Sequence, residues 1–230
     1  MILKRRDGTE LTLDDYPALS QHLADPACHV ADIVDQINGG IYEGVPICGR
    51  VMDMGANCGL FSAYASPSCD RIWAFEPSRR HFTAAEQFFR EARIENVSLV
   101  HAALWVKDGP IGFMHDPNNA TMDRIDYHRN AHTPVQVPCL RMDTLLSRYV
   151  IDHADFVKMD IEGAEEDVLA SEGFAAAAPK IGFLWVECHN YRDWGDGKLL
   201  GDRVEALVRN HFPHVERRTQ DLVIGRRVMA

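Results

Sequence analysis

The sequence predicts an α/β fold organised around a mainly parallel sheet buried on both faces. Two observations carry this. Short apolar segments alternate with helical ones in the order strand, helix, strand, helix, strand, the order that crossover connections impose on parallel strands. Hydrophobic residues make up 46% of the 230-residue chain and charged residues 25%, enough apolar material to cover such a sheet and too much for intrinsic disorder. The length suits one domain of ordinary to large size.

Residues 1 to about 45 read as a preamble. Ile2-Leu3, Asp7-Gly8 and Leu11-Thr-Leu13 predict a short hairpin around a D-G turn. After Asp25-Pro26, Val30, Ile33, Val34 and Ile37 recur at helical spacing, and Gly39-Gly40 ends the helix. The core begins near Gly49. Val51–Met54 is a buried strand, Gly55–Gly59 a turn, and Leu60 to about Ala65 a helix. Ile72–Phe75 is the second strand, ending at Glu76-Pro77. Ser78 is a cap candidate for a helix from Arg79 to Ala92 that carries Phe82, Ala85, Phe88 and Phe89, and Val97–Val100 is the third strand.

The stretch from Trp105 to Pro138, with Pro110, Pro117, Asn118-Asn119, Pro134 and Pro138, reads as irregular and as a binding loop or lid. A fourth strand, Asp155–Met159, precedes a helix from about Ala164 to Ser171. A fifth, Ile181–Val186, precedes Glu187-Cys-His189 and a helix from about Leu199 to Asn210. Val215–Arg218 and Leu222–Gly225 read as a closing antiparallel pair.

The net charge of −10 argues against nucleic acid and anionic membranes as partners, since both attract a positive field. No run approaches the roughly 20 apolar residues of a membrane span. No apolar run follows Lys4-Arg5-Arg6, so a secretory signal is not expected. The six cysteines contain no C-x-x-C pair, which points to reduced thiols in a cytoplasmic enzyme rather than to zinc or disulfides.

Asp53-x-Gly55-x-x-x-Gly59 carries most of the chemistry. It follows an apolar strand and opens a helix, where glycine permits positive φ and free N–H groups await an anionic or polar ligand. The dinucleotide pattern G-x-G-x-x-G is absent, because Asn57 stands where its middle glycine admits a pyrophosphate. The ribose-binding acid is nevertheless present as Glu76, seventeen residues past Gly59. A ribose acid without a pyrophosphate loop suggests a nucleoside ligand lacking phosphates, and S-adenosylmethionine fits. Asp53 would then attract its ammonium group.

These motifs resemble the FkbM-type methyltransferases, a branch of the class I S-adenosylmethionine-dependent enzymes, over roughly residues 40 to 190. Val51–Phe61 resembles the family's D-x-G-A-N-x-G turn and Ala74–Pro77 its F-E-P strand ending. Asp143-Thr-Leu145 resembles its L-D-x-L segment, with Met142 in place of leucine. Val157–Glu165 resembles its K-x-D-x-E-G-x-E segment, the most specific match, while Tyr42-Glu43 resembles the family's entry segment only weakly. The resemblance implies a Rossmann-like three-layer sandwich with a mostly parallel seven-stranded sheet and an antiparallel last strand. It also implies S-adenosylmethionine as donor, and an acceptor oxygen on a sugar or natural-product-like molecule. Carried over, Asp53, Gly55, Asn57, Gly59 and Glu76 line the cofactor site. Residues 1–45 are then an N-terminal extension and 46–230 the methyltransferase domain.

On the acceptor side, Phe156, Lys158 and Asp160 share one face of their strand, and a buried Lys158 calls for Asp160 or Glu162 as partner. Asp160, at the strand's carboxyl end, is placed beside the transferred methyl group. Glu162 and Glu165 fall in the turn and helix start, where Glu165 favours the helix dipole. An alcohol acceptor needs a base. His189 is the first candidate by position and intrinsic pKa, with Asp160 and Glu187 as alternatives. His101, His115, His128, His132 and His153 are read as surface or loop residues rather than metal ligands, and no metal is expected, although Asp160 and Glu162 could hold a divalent ion. Asn118–Thr121 and the Tyr191, Trp194, Gly195 and Gly197 segment are acceptor-wall candidates. An N- or C-directed transferase, a silent cofactor-binding module and, least favoured, a nicotinamide dehydrogenase are the competing readings.

Overall fold

The structure, a computed structural model, describes residues 1–19, 30–114, 124–125, 135–189 and 200–227. The N-terminal hairpin pairs β1 (Ile2–Lys4) with β2 (Glu10–Thr12), and α1 (Val30–Asn38) follows. The core runs through β3 (Gly49–Met54), α2 (Leu60–Ala65), β4 (Cys69–Phe75), α3 (Arg79–Glu91) and β5 (Val97–Val100). Then come β6 (Ala103–Leu104), β7 (Gly109–Met114), β8 (Arg124–Ile125), β9 (Val135–Leu140) and α4 (Met142–Arg148). The chain continues with β10 (Ala154–Met159), α5 (Glu165–Leu169), α6 (Glu172–Ala177), β11 (Ile181–Glu187), α7 (Leu200–Arg209), β12 (His214–Arg217) and β13 (Leu222–Arg226).

The central sheet has seven strands in the order β12-β13-β11-β10-β3-β4-β5. Its five central and edge strands from β11 to β5 are parallel, while β13 runs antiparallel to both β11 and β12. Strand alternation sends successive side chains to opposite faces. Met52, Met54, Val157, Met159, Leu184 and Val186 join one apolar cluster with α4 to α7 and the smaller sheet. Val51, Phe156, Phe183 and Trp185 join the other, with the hairpin and α1 to α3. This is the expected three-layer α/β sandwich.

Two expectations need correction. The stretch from Trp105 to Pro138 is not wholly irregular, because β7, β8 and the start of β9 lie within it and join β6 in a four-stranded sheet of order β6-β9-β7-β8. The prolines that suggested a loop are accommodated: Pro110 faces Pro138 across the antiparallel ladder. A directly opposed pair that exchanges no N–H···O bonds loses nothing by lacking both N–H groups. The helix expected from about Ala164 to Ser171 is α5, which ends at Leu169, and a further helix that the sequence reading did not assign, α6, follows it. Ser171 caps α6, its Oγ accepting from the Phe174 N–H at 3.2 Å. Asn118–Thr121, His115, His128, His132, Asp25-Pro26 and the Tyr191–Gly197 segment lie outside the described residues.

Candidate active site

The sheet order reverses direction between β3 and β10, and in open α/β sheets the crevice outside the carboxyl ends at such a point takes ligands. A cavity of about 370 Å³ opens there, within the range of small-molecule sites. Gly55–Cys58 after β3, Glu76 after β4, Asp160–Glu162 after β10, and Glu187 and His189 at the end of β11 all reach it. Backbone bonds pin these strand ends: Gly55 and Ala56 N–H donate to Phe75 O, Glu76 N–H to Val100 O, and Asp160 N–H to Met54 O.

The glycine turn serves the protein's own packing. Gly55 has φ of +82°, and a Cβ there would lie 1.8 Å from the Asp160 carbonyl oxygen. Gly59 has φ of +87°, and its Cβ would lie 2.5 Å from the Phe89 ring. Gly55 therefore lets the ends of β3 and β10 close together, and Gly59 lets α2 seat on α3. Asn57, at φ of +51°, takes a left-handed conformation that asparagine tolerates better than most residues.

Glu76 is 4% exposed. Its Oε2 accepts from the Asn57 N–H at 2.8 Å and its Oε1 from the Ser78 N–H at 2.7 Å, so the carboxylate is oriented by the turn and by the start of α3. His81 Nδ1 lies 3.9 Å from Oε1. Asp53 is the other acid of the turn. It is fully buried beneath the turn, where Oδ2 accepts from Ser62 Oγ at 2.7 Å and Oδ1 faces Lys158 Nζ at 3.5 Å.

Lys158 stands directly opposite Asp53 in the β10–β3 register. Its ammonium pairs with Asp160 at 2.9 Å and donates to the Gly55 carbonyl at 3.1 Å. The sequence reading found the Asp160 partner and missed Asp53. Burial opposes the Lys158 charge, but Asp160 and Asp53 outweigh it and raise the pKa. Burial raises the pKa of Asp53 against the pull of Lys158. Burial also opposes the Asp160 charge, yet Lys158 and His189 hold its carboxyl below the usual range.

His189 is surrounded by carboxylates. Nδ1 lies 3.2 Å from Oε1 of the fully buried Glu165, and Nε2 lies 3.7 Å from Asp160, 3.9 Å from Glu162 and 3.9 Å from Glu187. Burial opposes the imidazolium, but the Glu165 hydrogen bond and the charges of Glu165, Glu162 and Asp160 raise the pKa well above its ordinary value. Burial and the Asp160 charge push Glu187 up to about 7. Glu165 also accepts the Ile161 N–H at 3.0 Å, so it ties the turn after β10 to the end of β11, in addition to its expected place at the helix start.

Several cavity residues were not legible as such. Asp32 and Gln36 come from α1, and Phe113 and Ile125 from the second sheet. Tyr42 is buried against Phe61 and Trp185, with ring centroids 4.9 and 5.0 Å away. Its place beside the weak Tyr42-Glu43 match was the one sequence signal for this wall.

The sequence matches the family profile described as the Methyltransferase FkbM domain over residues 53–218. The chain belongs to the FkbM methyltransferase family. Among solved structures it is similar to methyltransferase FkbM from Methylobacillus flagellatus KT, at 16% identity and a TM-score of 0.49, over 92% of this chain and 58% of that one. A putative rRNA-methylase from Clostridium thermocellum is similar at 12% identity and a TM-score of 0.47, over 78% and 87% of the two chains. The N-terminal domain of EvdMO1, solved in the presence of SAH and D-fucose, is similar at 15% identity and a TM-score of 0.47, over 88% and 83%. No curated protein matches the sequence. Among the described residues, no helix is long and apolar enough to cross a membrane.

Proposed function

We propose that this FkbM-family methyltransferase transfers the methyl group to a hydroxyl of a small polyhydroxylated acceptor, a sugar or a natural-product-like molecule. One observation carries the reading: a single cavity joins an oriented ribose-type carboxylate, Glu76, to a cluster of Asp160, Glu162, Glu187 and His189. The first end suits an adenosine and the second a substrate rich in O–H donors.

The residues fit the cofactor. Glu76 is oriented by the Asn57 and Ser78 N–H groups and lines the cavity at the end of β4, the position from which an acid accepts from a ribose diol. The Gly55–Asn57 turn forms the neighbouring wall. Bound there, S-adenosylmethionine supplies a methyl carbon activated by its sulfonium. Asp160 lies beside that position, and its negative charge favours the cation. Asp53 and Gly59 act from beneath, by holding Lys158 and the start of α2 in place.

The chain's remaining task is to align the acceptor oxygen and take its proton. Alignment is worth up to about 7–11 kcal/mol in well-oriented systems. A positioned base adds about 10²–10⁴-fold, and Glu187, which burial and the Asp160 charge push up to about 7, is the group best matched to that role, with Asp160 and His189 beside it. Residues 1–45 act as an extension whose α1 brings Asp32 and Gln36 to the cavity wall. The acidic wall and the net charge of −10 disfavour a phosphate-bearing acceptor such as RNA.

The test is calorimetric titration with S-adenosylmethionine and S-adenosylhomocysteine, with NAD as control, followed by labelled-methyl transfer to panels of sugars, hydroxylated metabolites, amines and RNA. Label on a hydroxyl supports the reading. Label confined to amines, carbon or RNA overturns the acceptor class, and cofactor binding without turnover on any panel supports a silent binding module instead.

A further inference from the structure

We infer that Asp160, Glu162 and His189 bind a divalent cation, Mn²⁺ or Mg²⁺, at the acceptor end of the cavity, with Glu165 as the residue that orients His189. The inference rests on the proposed hydroxyl acceptor for its purpose, but not for its geometry. Each of the three residues offers one ligand atom, and these atoms lie within 4.8 Å of one another. Small side-chain closures bring such a set around one ion with metal–ligand distances near 2.1 Å.

The imidazole is presented as a ligand would be. Its Nδ1 is engaged by Glu165 Oε1 at 3.2 Å, and the same oxygen accepts the Ile161 N–H at 3.0 Å. That leaves Nε2 on the side of Asp160 Oδ1 and Glu162 Oε2, at 3.7 and 3.9 Å. A carboxylate behind one ring nitrogen is the common outer partner of a metal-bound histidine, because it sets the tautomer and raises the basicity of the ligating nitrogen. Glu165 is fully buried, and its second oxygen, Oε2, has no hydrogen-bond partner among the described residues.

The charge balance points the same way. Asp160, Glu162, Glu165 and Glu187 all lie within 4 Å of the His189 ring nitrogens, and Asp160 shares Lys158 with Asp53. Four carboxylates converge on one imidazole, one of them fully buried and the others partly exposed, so the local field favours an added cation. The donors come from the end of β10, the turn after it and the end of β11, so the fold assembles them from separate segments. Their chemistry, two carboxylates with one imidazole and no thiolate, suits an oxygen-seeking ion. With Asp160 and Glu162 as ligands, the ion would lie where an acceptor hydroxyl is held and would favour loss of its proton.

The experiment is titration of the EDTA-treated full chain with MnCl₂, followed by the electron paramagnetic resonance signal of free Mn²⁺, with and without S-adenosylhomocysteine. One Mn²⁺ per chain is expected, competed by Mg²⁺. Glu162→Gln and His189→Gln are each expected to weaken Mn²⁺ at least tenfold. Glu165→Gln should weaken it about 10–100-fold if it orients the histidine. Calorimetric binding of S-adenosylhomocysteine by each variant shows that it is folded and reads the cofactor site independently of the ion. Absence of Mn²⁺ binding by a chain that binds S-adenosylhomocysteine overturns the metal site and leaves the methyltransferase reading intact. Stoichiometric binding unchanged in both Glu162→Gln and His189→Gln overturns the assignment to these residues.

Discussion

Replacing Lys158 by Met removes the cation that sits between two carboxylates under the glycine turn. The Lys158 side chain is 5% exposed and that of Asp53 is 0% exposed, so water cannot replace the lost partner. Breaking one side of a buried pair costs about 3–5 kcal/mol, because the remaining charge stays buried and uncompensated. Against a typical stability of about 5–15 kcal/mol, that is a large fraction. With a urea slope of about 2–3 kcal/mol per molar, the midpoint should fall by roughly 1–2.5 M. The double variant Lys158→Met with Asp53→Asn should recover part of the loss, since a neutral amide replaces the orphaned carboxylate. The sign of the pH effect follows from Asp53. Burial already raises its pKa in the folded state, and losing Lys158 raises it further. A carboxyl with a raised folded pKa destabilises above that pKa, and the penalty fades as pH falls toward the unfolded value near 3.9. The single variant should therefore lie closest to the parent in acid. A loss below about 1 kcal/mol at neutral pH would refute the argument, by showing that the pair is hydrated or that its desolvation cost cancels its attraction.

Glu76→Gln should weaken S-adenosylhomocysteine by about 1–3 kcal/mol, roughly 5–150-fold, since it removes a charged acceptor; unchanged calorimetric affinity in a folded variant would take Glu76 out of the site. Gly55→Ala should prevent stable folding at 37 °C, because its Cβ meets the Asp160 carbonyl at 1.8 Å. Gly59→Ala should fold with a lowered melting temperature, as its Cβ meets the edge of the Phe89 ring rather than backbone. Asp143→Asn should cost less than about 1 kcal/mol by urea denaturation at neutral pH, because the pair with Arg141 is partly exposed. The Arg141 hydrogen bonds hold the Asp143 pKa below its ordinary value. Its contribution is thus present above about pH 4 and lost as pH falls through the folded pKa, so parent and variant should converge in acid.

The candidate site was half legible. Glu76 was found because a strand end and an acid about twenty residues past a glycine turn are local facts of spacing. The L-D-x-L resemblance at Asp143 was visible too. Its structural content was not: the carboxylate grips Arg141 Nε and Nη2 at 3.0 and 2.8 Å and accepts the Thr144 N–H at 2.9 Å, which secures the start of α4. His189 was noticed for its position, but not the four carboxylates around it. The burial of Asp53 was missed, because an acid before a glycine turn reads alike whether it faces a ligand or a lysine on the next strand.

By itself the sequence determined the alternation of strands and helices, the turn after β3 and the acid after β4. Those follow from apolar periodicity, from glycine at positive φ and from spacing along a few consecutive residues. Tertiary structure decided which charges compensate each other. The parallel register that sets Lys158 opposite Asp53 and the turn that brings Glu165 to His189 join segments far apart in the chain. Such pairings are selected by sheet hydrogen bonding and by the cost of burying charge, neither of which leaves a local pattern. The second sheet was hidden for the same reason: its strands are short and proline-bearing, and only their pairing across the ladder shows that the missing N–H groups are not needed.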